Sequence, residues 1–379
     1  MRILYLGFDI EGYGGIATYS RYQVAALKRL GHTLEIVSID KQDGAPLAPG
    51  IADRKLPFGS RIGAVATLAR EAIAARGRHD LVMLNHVFLA GAGWLVKKLA
   101  GTPFTVNVYN IDILTKLPAL REKALAAADL VIADCKYTID WMPRYRSFVP
   151  PTGLLYDPVD VAFFRPMPKE AARAELAREY GWDDLAGKFV VTTVAAMLLP
   201  PNKGQRQTID AIAKLGDPRI VYVIVGSGPD REAMEAYAKD AGIAGQVRFT
   251  GRAPQAHLPL LYAAADVATL VARGGPGWGE AVPLGLIEAA SCGTPFLCGN
   301  EDGSPEAILD DDPCGFAIPP LDVEALAGRL VRLRDEPGLA ARMGAAGIRT
   351  VEKLFAFDRF VEQQERLLAR FGAKTRAAA

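Results

Sequence analysis

Two glutamates, Glu280 and Glu288, stand eight residues apart behind a glycine-rich turn, Gly274-Gly275-Pro276-Gly277-Trp278-Gly279. The turn lies between a strand-like run, Val267 to Val271, and a helix-like run beginning near Pro283 or Leu284. Strand, glycine loop and helix N-terminus in that order make an anion site, because unpaired amides and the positive end of the helix dipole face outward. Pro283 supports the boundary, since proline fits only the first turn of a helix. Glu280 precedes this helix and Glu288 lies about 6 Å along its axis. One carboxylate therefore reaches past the anion site while the other stays beside it. A diphosphate with hydroxyls on both sides suits that arrangement, and a nucleotide sugar is such a group. Two ordinary helix glutamates, one a favourable N-terminal charge, would give the same spacing.

The following residues favour the first reading. Ala289-Ala290-Ser291-Cys292-Gly293-Thr294-Pro295 reads as a small-residue helix end with a glycine cap, leading into a strand, Phe296-Leu297-Cys298. Gly303-Ser304-Pro305-Glu306 turns into a further helix. The string from Arg273 to Glu306 resembles the donor-site signature of retaining GT-B glycosyltransferases of the family 4 (group 1) type: E-x7-E, a small-residue helix, C-G-x-P and a G-x-P-E turn. That resemblance implies an α/β fold of two Rossmann-like, doubly wound parallel-sheet domains facing across a cleft. It also implies a retaining hexosyltransferase that uses a UDP- or GDP-sugar and needs no metal.

Other loops fit the same family, with two departures. Pro200-Pro201-Asn202-Lys203-Gly204-Gln205 resembles the R-x-x-x-x-K-G element, with Lys203 as diphosphate ligand. Its arginine is absent, Met197, Leu198 and Leu199 occupying the region, and Arg206, Arg252 and Arg273 are candidates to replace it. At the end of Val106-Asn107-Val108-Tyr109-Asn110-Ile111-Asp112, Tyr109 stands where the family carries a histidine close to the donor sugar. Either Tyr109 lines the sugar pocket or the partner comes from elsewhere, such as His86. Gly226-Ser227-Gly228-Pro229 resembles the G-x-G-P turn, and Gly251-Arg252-Ala253 the loop that touches the base. The resemblance further implies that Glu288 holds the ribose diol, and that Glu280 and the backbone near Val282 orient the hexose. Lys203, the Gly14 and Gly15 backbone and the amides of Leu284 and Gly285 would meet the diphosphate. Glu280, Lys203 and Tyr109 are the catalytic candidates.

The loop Glu11-Gly12-Tyr13-Gly14-Gly15-Ile16-Ala17 allows a second chemistry. Gly12-x-Gly14-x-x-Ala17 matches a dinucleotide fingerprint, and Asp40 ends the second strand as an NAD-binding acid would. Gly12 stands four positions beyond Phe8, however, whereas the fingerprint turns tightly off its strand. A nicotinamide-dependent oxidoreductase would also leave E-x7-E unexplained. A catalytically inactive scaffold of GT-B shape would account for the missing arginine and histidine together.

Alternating elements position these loops. In the first half, strand-like runs are Ile3 to Phe8, Thr33 to Ile39, Leu81 to Leu84, Phe104 to Val108 and Leu130 to Ala133. Helix-like runs between them are Ala17 to Leu30, Ile62 to Ala75, Gly91 to Leu99 and Leu117 to Ala127. Such alternation predicts a parallel sheet covered on both faces, with ligands at the strands' carboxyl ends. Two prolines in Leu155 to Pro166 mark a connection, and a second series begins at Phe189. Its expected helices are Gln207 to Leu215, Asp230 to Ala241, Leu258 to Ala264, Leu284 to Ser291 and Val323 to Leu333. The domains are expected at 1–163 and 164–356. An apolar stripe of 3.6-residue period, Phe357, Phe360, Val361, Leu367, Leu368 and Phe371, marks a closing helix over about 357–373 that rejoins the first domain by resemblance.

Composition narrows the class. A chain of 379 residues exceeds one compact core, and 44 basic against 43 acidic side chains give no electrostatic reason to bind nucleic acid. Cys135, Cys292, Cys298 and Cys314 form no C-x-x-C pair, and His32, His79, His86 and His257 are scattered, so neither a structural zinc nor a disulfide framework is expected. Asp310-Asp311-Asp312 lies in a turn and reads as solvated. The apolar run at Met1 is too short for a signal peptide, and a cytoplasmic protein is expected. Residues 1–160 carry 19 basic against 15 acidic side chains, and the remainder 25 against 28. A basic first half would suit a glycan or glycolipid acceptor at an anionic membrane, with Trp94-Leu95-Val96-Lys97-Lys98 at the surface. A solvated helix face would look the same.

Overall fold

The computed structural model describes the chain except residues 41–47, 58–62, 64–66, 68–69, 71–72, 74–76, 147, 199–202, 275–278 and 378–379. Most of the helix expected from Ile62 to Ala75 lies outside the described residues, as do Leu199 to Asn202 and the Gly275 to Trp278 part of the glycine-rich turn. The chain divides into two units, Met1–Pro158 with Phe357–Ala379, and Val159–Ala356.

The first unit is built on a seven-stranded sheet: β1 (Arg2–Phe8), β2 (Thr33–Asp40), β3 (Arg54–Pro57), β4 (Leu81–Leu84), β5 (Phe104–Val108), β6 (Leu130–Ala133) and β7 (Thr152–Leu154). Their order is β3-β2-β1-β4-β5-β6-β7, with every pairing parallel. The second unit holds β8 (Phe189–Val194), β9 (Ile220–Val225), β10 (Val247–Gly251), β11 (Val267–Leu270), β12 (Phe296–Gly299) and β13 (Gly315–Ile318). Its order is β10-β9-β8-β11-β12-β13, again parallel. Both are Rossmann-like parallel-sheet domains. Strands such as β9, Ile-Val-Tyr-Val-Ile-Val, are buried at every position, as a sheet covered on both faces requires. In each unit the strand order reverses once, between β1 and β4 and between β8 and β11. The crevice beyond the carboxyl ends at such a reversal is where open α/β sheets bind ligands.

Helices cover both faces. In the first unit they include α1 (Gly15–Arg29), α2 (Ala90–Ala100), α3 (Asn110–Ile113), α4 (Ala119–Ala126) and α5 (Lys136–Trp141). The second has α6 (Lys169–Tyr180), α7 (Gln205–Leu215), α8 (Arg231–Asp240), α9 (Leu258–Ala264), α10 (Leu284–Ser291), α11 (Val323–Asp335) and α12 (Pro337–Leu354). The last helix, α13 (Phe357–Ala377), follows the second unit in sequence but packs in the first. Its Phe360, Val361, Leu368 and Phe371 share a core with Ile3, Tyr5, Tyr19, Val24 and Leu27. Phe360 meets Tyr19 edge-on at 5.6 Å, and Gly153 in β7 leaves the space that Leu367 occupies. Each large apolar side chain so buried contributes roughly 1.5–3 kcal/mol.

Helix α12 contains Gly338, Gly344 and Gly347, which weaken its helical signal in the sequence. The structure supplies the reason for two of them. A Cβ on Gly344 would sit 2.1 Å from the Gly293 carbonyl oxygen, and one on Gly347 3.1 Å from Ala290. The glycines let α12 lie against α10, the helix that carries Glu288.

Candidate functional site

In the second unit, the loops after β8 and β11 flank the reversal of strand order. The first runs from Ala195 to Gly204 and ends at α7. Gly204 adopts the left-handed conformation (φ 89°), and a Cβ there would stand 2.7 Å from the Val271 nitrogen and 2.8 Å from its oxygen. Only glycine brings this loop so close to the end of β11. Gln205, wholly buried, donates to the Ala196 carbonyl at 3.2 Å and accepts from the Lys203 amide at 3.1 Å. The Lys203 amide is thereby tied through Gln205 to the Ala196 carbonyl, and the lysine ammonium ion-pairs with the Glu280 carboxylate. Both side chains are largely buried, at 24% and 20% exposure, and still reachable by a ligand.

Glu280 is fixed through its backbone. Its amide donates to Asp302 Oδ2 at 2.9 Å, while Asp302 Oδ1 accepts from the Ser304 amide at 2.9 Å and the Glu280 carbonyl accepts from the Gly303 amide at 3.0 Å. Burial pushes the Asp302 carboxyl up to about 6, against the pull of these hydrogen bonds. A Cβ on Gly303 would lie 2.9 Å from the Ala281 oxygen, so the Gly303–Glu306 turn packs directly beneath the Glu280–Ala281 segment. Sequence reasoning singled out this turn but not Asp302. An aspartate just ahead of Gly-Ser-Pro is the available signal, because its carboxylate can bond the amide two residues on.

Pro283 is the N-cap residue of α10, which starts at Leu284. Intrahelical bonding begins at Leu286 and Ile287, both donating to the Pro283 carbonyl, so Leu284 and Gly285 lie in the first turn where helical amides lack helix partners. Gly285 keeps that turn against β8: a Cβ there would be 3.0 Å from the Val194 oxygen and 3.3 Å from the Tyr262 hydroxyl. Val282 is buried. Glu288 lies one turn further in, with part of its surface open, and its Oε2 accepts from the Tyr262 hydroxyl at 2.8 Å. Burial pushes the Glu288 carboxyl up to about 7, opposed by that hydrogen bond. Tyr262, on α9, carries no signature in the sequence that links it to Glu288.

Two further glycine turns are laced to the β8 loop. A Cβ on Gly226 would be 2.1 Å from the Ala195 oxygen, and one on Gly228 1.9 Å from the Met197 oxygen. The Gly226 amide donates to the Gly251 carbonyl at 2.8 Å. Gly251 is left-handed (φ 67°) and buried, whereas Arg252 is exposed. Met197 is wholly buried in the core, whereas Leu198, five positions before Lys203 where the R-x-x-x-x-K-G spacing would put the arginine, is exposed. Among the candidates for the missing arginine, Arg206 stacks over the Tyr237 ring at 4.5 Å, and Arg252 and Arg273 are exposed. Asp312 forms an ion pair with Arg349. Among the described residues no group of three or more His, Cys, Asp or Glu could hold a metal ion.

The remaining candidates belong to the first unit. Gly14 (φ 105°) caps α1 and Gly15 begins it, and a Cβ on either would meet nothing within 4 Å. Gly12 differs, because a Cβ there would collide with the Asp9 carboxylate, itself held at φ 47°. Arg21 donates to the carbonyls of Ile10 and Gly12, and the buried Glu11 carboxylate accepts from the Ile51 and Ala52 amides and pairs with Lys55. The loop is thus a braced ridge with open space over Gly14 and Gly15. Asp40 ends β2. Tyr109 caps α3, is 7% exposed and stands edge-on to Tyr19 at 5.8 Å. Its hydroxyl lies beside Asn107 without a hydrogen bond of ordinary geometry, and burial raises it well above the usual phenol range. His86, 6.0 Å from the Tyr109 ring, accepts from the Phe88 amide through Nδ1 and faces Asp112 Oδ2 at 2.8 Å through Nε2. The structure therefore brings together Lys203, Glu280, Leu284, Gly285 and Glu288 at one reversal point, and Tyr109 with His86 at the carboxyl ends of β5 and β4.

Residues 186–350 match the family described as glycosyl transferases group 1, and residues 14–155 match the glycosyl transferase 4-like domain. The chain is 30% identical to a D-inositol 3-phosphate glycosyltransferase of Streptomyces avermitilis over 373 residues, covering 90% of this chain and 76% of that one. The chain belongs to the group 1 glycosyltransferase family. Another member, a GDP-mannose-dependent alpha-(1-6)-phosphatidylinositol monomannoside mannosyltransferase of Mycolicibacterium smegmatis, is 34% identical over 225 residues, a match spanning 58% of this chain and 56% of that relative's length. The fold is that of the sucrose-phosphate synthase of Thermosynechococcus elongatus, at a TM-score of 0.80 and 21% identity over 98% of this chain and 99% of that one. Membership sets aside the dinucleotide reading of Gly12, Gly14 and Asp40. Among the described residues no helix is long and apolar enough to cross a membrane.

Proposed function

We propose that this chain transfers a hexose from a UDP- or GDP-sugar to an acceptor hydroxyl with retention of anomeric configuration. The observation that carries the reading is the Lys203–Glu280 ion pair beside the first turn of α10, with Glu288 one turn behind. An arriving diphosphate offers Lys203 new anionic partners, and Glu280, released from the lysine, accepts from hexose hydroxyls. Negative charge grows on the diphosphate as its bond to the anomeric carbon breaks. Lys203 and the Leu284 and Gly285 amides then stabilise the transition state more than the ground state. The departing phosphate oxygen accepts the proton of the attacking hydroxyl on the same face, giving retention with no metal in any step. Glu288 accepts hydrogen bonds from the ribose diol.

Two relatives by their names act on an inositol phosphate and on a phosphatidylinositol mannoside, which supports a glycan or glycolipid acceptor. Work at the inner face of a membrane, in polysaccharide or glycolipid synthesis, accords with the basic balance of the first 160 residues.

The test is release of UDP or GDP from a panel of nucleotide sugars, with and without membrane lipid extract, for the wild type and Glu280→Ala. Product configuration is read by proton NMR. Release from one donor, lost in the variant and giving a product of unchanged configuration, supports the proposal. Inverted product removes retention. No release together with no nucleotide binding replaces it with a scaffold role.

A further inference from the structure

Glu288 has a neighbour that the donor-site spacing does not include. Tyr262 comes from α9, 26 residues earlier in the chain, and is wholly buried. Its backbone carbonyl accepts from Thr294 Oγ1 at 2.8 Å, and its ring meets Phe164 edge-on at 6.1 Å. A tyrosine fixed at both ends presents its hydroxyl at one place, 2.8 Å from Glu288 Oε2. Among the described residues no protein group donates to Oε1, and part of the glutamate surface is open.

We propose that Tyr262 is a positioning residue of the nucleotide-ribose site, its hydroxyl pinning one carboxylate oxygen of Glu288 so that the other is presented to the ribose diol. This rests on the reading of Glu288 as the ribose holder.

A diol donates well only to the ionised carboxylate, because a protonated carboxyl keeps a donor of its own. Burial works against ionisation and holds Glu288 at about 7, while the phenol donor works for it. The titratable and charged groups of neighbouring elements do not replace that donor. Cys292, at the end of α10, has its thiol pushed up to about 12 by burial and then by Glu288. Asp302, beyond β12, is spent on the Glu280 and Ser304 amides, and Arg349 of α12 on Asp312. Gly285 completes the arrangement, since a side chain there would press on the Tyr262 hydroxyl.

The experiment titrates UDP, GDP and their 2′-deoxy counterparts calorimetrically against wild type, Tyr262→Phe and Glu288→Gln between pH 6 and 9. Wild-type affinity for the cognate ribose diphosphate should rise up to about tenfold from pH 6 to 8, as a group near 7 ionises. Tyr262→Phe should weaken it several-fold at pH 7, move the midpoint upward and recover by pH 9. Recovery at high pH is a response that general loosening of the fold would not produce. The 2′-deoxy probes carry the same terminal phosphate, whose last ionisation falls near pH 6, roughly, and so measure its share of the pH response; they should be weaker and nearly indifferent to either substitution. A Tyr262→Phe curve with the wild-type midpoint, or one depressed equally at every pH, overturns the inference while leaving Glu288 as ribose holder. A wild type that binds ribose and 2′-deoxy probes alike, or binds none of them, overturns the reading of Glu288 itself. The wild-type titration stands without any variant: the inference fails if its ribose affinity changes with pH no more than that of the 2′-deoxy probe.

Discussion

Gly204→Ala and Gly216→Ala form a matched pair that separates backbone conformation from close approach. Both glycines are left-handed, at φ 89° and 58°, and flank the same helix, α7. Alanine in that conformation costs about 1–2 kcal/mol at either site. At Gly216 nothing lies within 4 Å of an added Cβ, so the cost ends there. At Gly204 the Cβ would stand 2.7 Å from the Val271 nitrogen, about 0.7 Å inside the ordinary 3.4 Å contact limit, and both partners are backbone. Relieving that overlap in a packed sheet end costs a further 1–3 kcal/mol, roughly. Gly204→Ala should therefore lose about 2–5 kcal/mol and Gly216→Ala about 1–2 kcal/mol. Urea unfolding of both variants beside the wild type reads the difference, with midpoints compared rather than absolute energies, since two units unfold. The loop that yields carries Lys203, so Gly204→Ala should also lower donor turnover by at least about tenfold, with Gly216→Ala within about twofold. Equal destabilisation of the two variants, or full turnover in Gly204→Ala, would refute the argument that close approach to Val271 places the lysine.

Three other outcomes follow from the structure. Glu288 has its carboxyl raised from 4.5 to about 7, so the folded chain holds a proton that the unfolded chain has released between those values. Wild-type stability should fall as pH rises through that window, by up to about 3 kcal/mol, while Glu288→Gln escapes the fall; parallel urea-midpoint curves for the two would contradict the burial argument. Asp302→Asn keeps one oxygen acceptor but turns the other position into a donor, so either the Glu280 or the Ser304 amide loses its partner. We expect a loss of about 1–3 kcal/mol and a larger proportional drop in kcat/KM; a drop in stability with unchanged turnover would remove Asp302 from the positioning of Glu280. Phe360→Ala empties a fully packed site in α13 and should cost about 3–5 kcal/mol, with hydrogen-exchange protection lost in β1 and β5 and kept in β8 and β9; loss in both sheets together would show that the units unfold as one.

What the sequence disclosed divides along physical lines. Runs such as Ile220–Val225 announce themselves, because a strand buried on both faces needs apolar, β-branched residues at every position. Helix α12 does not, because Gly344 and Gly347 serve contact with α10 at the expense of helix propensity. Helix α6 buries only Ala172, Arg173 and Leu176, too sparse a stripe to show a period. Strands β3, Arg-Lys-Leu-Pro, and β7, Thr-Gly-Leu, each hold a single large apolar residue, and so lack the apolar run that marks equally short strands such as Leu81–Leu84. At the site, the E-x7-E spacing is legible because both glutamates hang on one helix start. Tyr262 and Asp302 are not, since their bonds to Glu288 and to the Glu280 amide join side chains to partners 26 and 22 residues away, a relation only the folded sheet creates. Tyr109 was recognisable as a strand-end residue, but its burial against Tyr19 depends on α1 lying over the sheet.

The return of α13 to the first unit sets a timetable for biosynthesis. Chain emerging from a ribosome folds unit by unit from its beginning. Here the first sheet is made early, yet the cover for Ile3, Tyr5 and Leu27 arrives with Phe360 to Phe371, after the whole of Val159–Ala356 has been synthesised. The second unit is contiguous and can close while the first still waits with an apolar face uncovered. For that interval the nascent protein offers chaperones and aggregation partners a surface which the finished one conceals. Substitutions in the last helix are then expected to reduce yield by lengthening the wait, even where they leave the assembled enzyme's chemistry untouched.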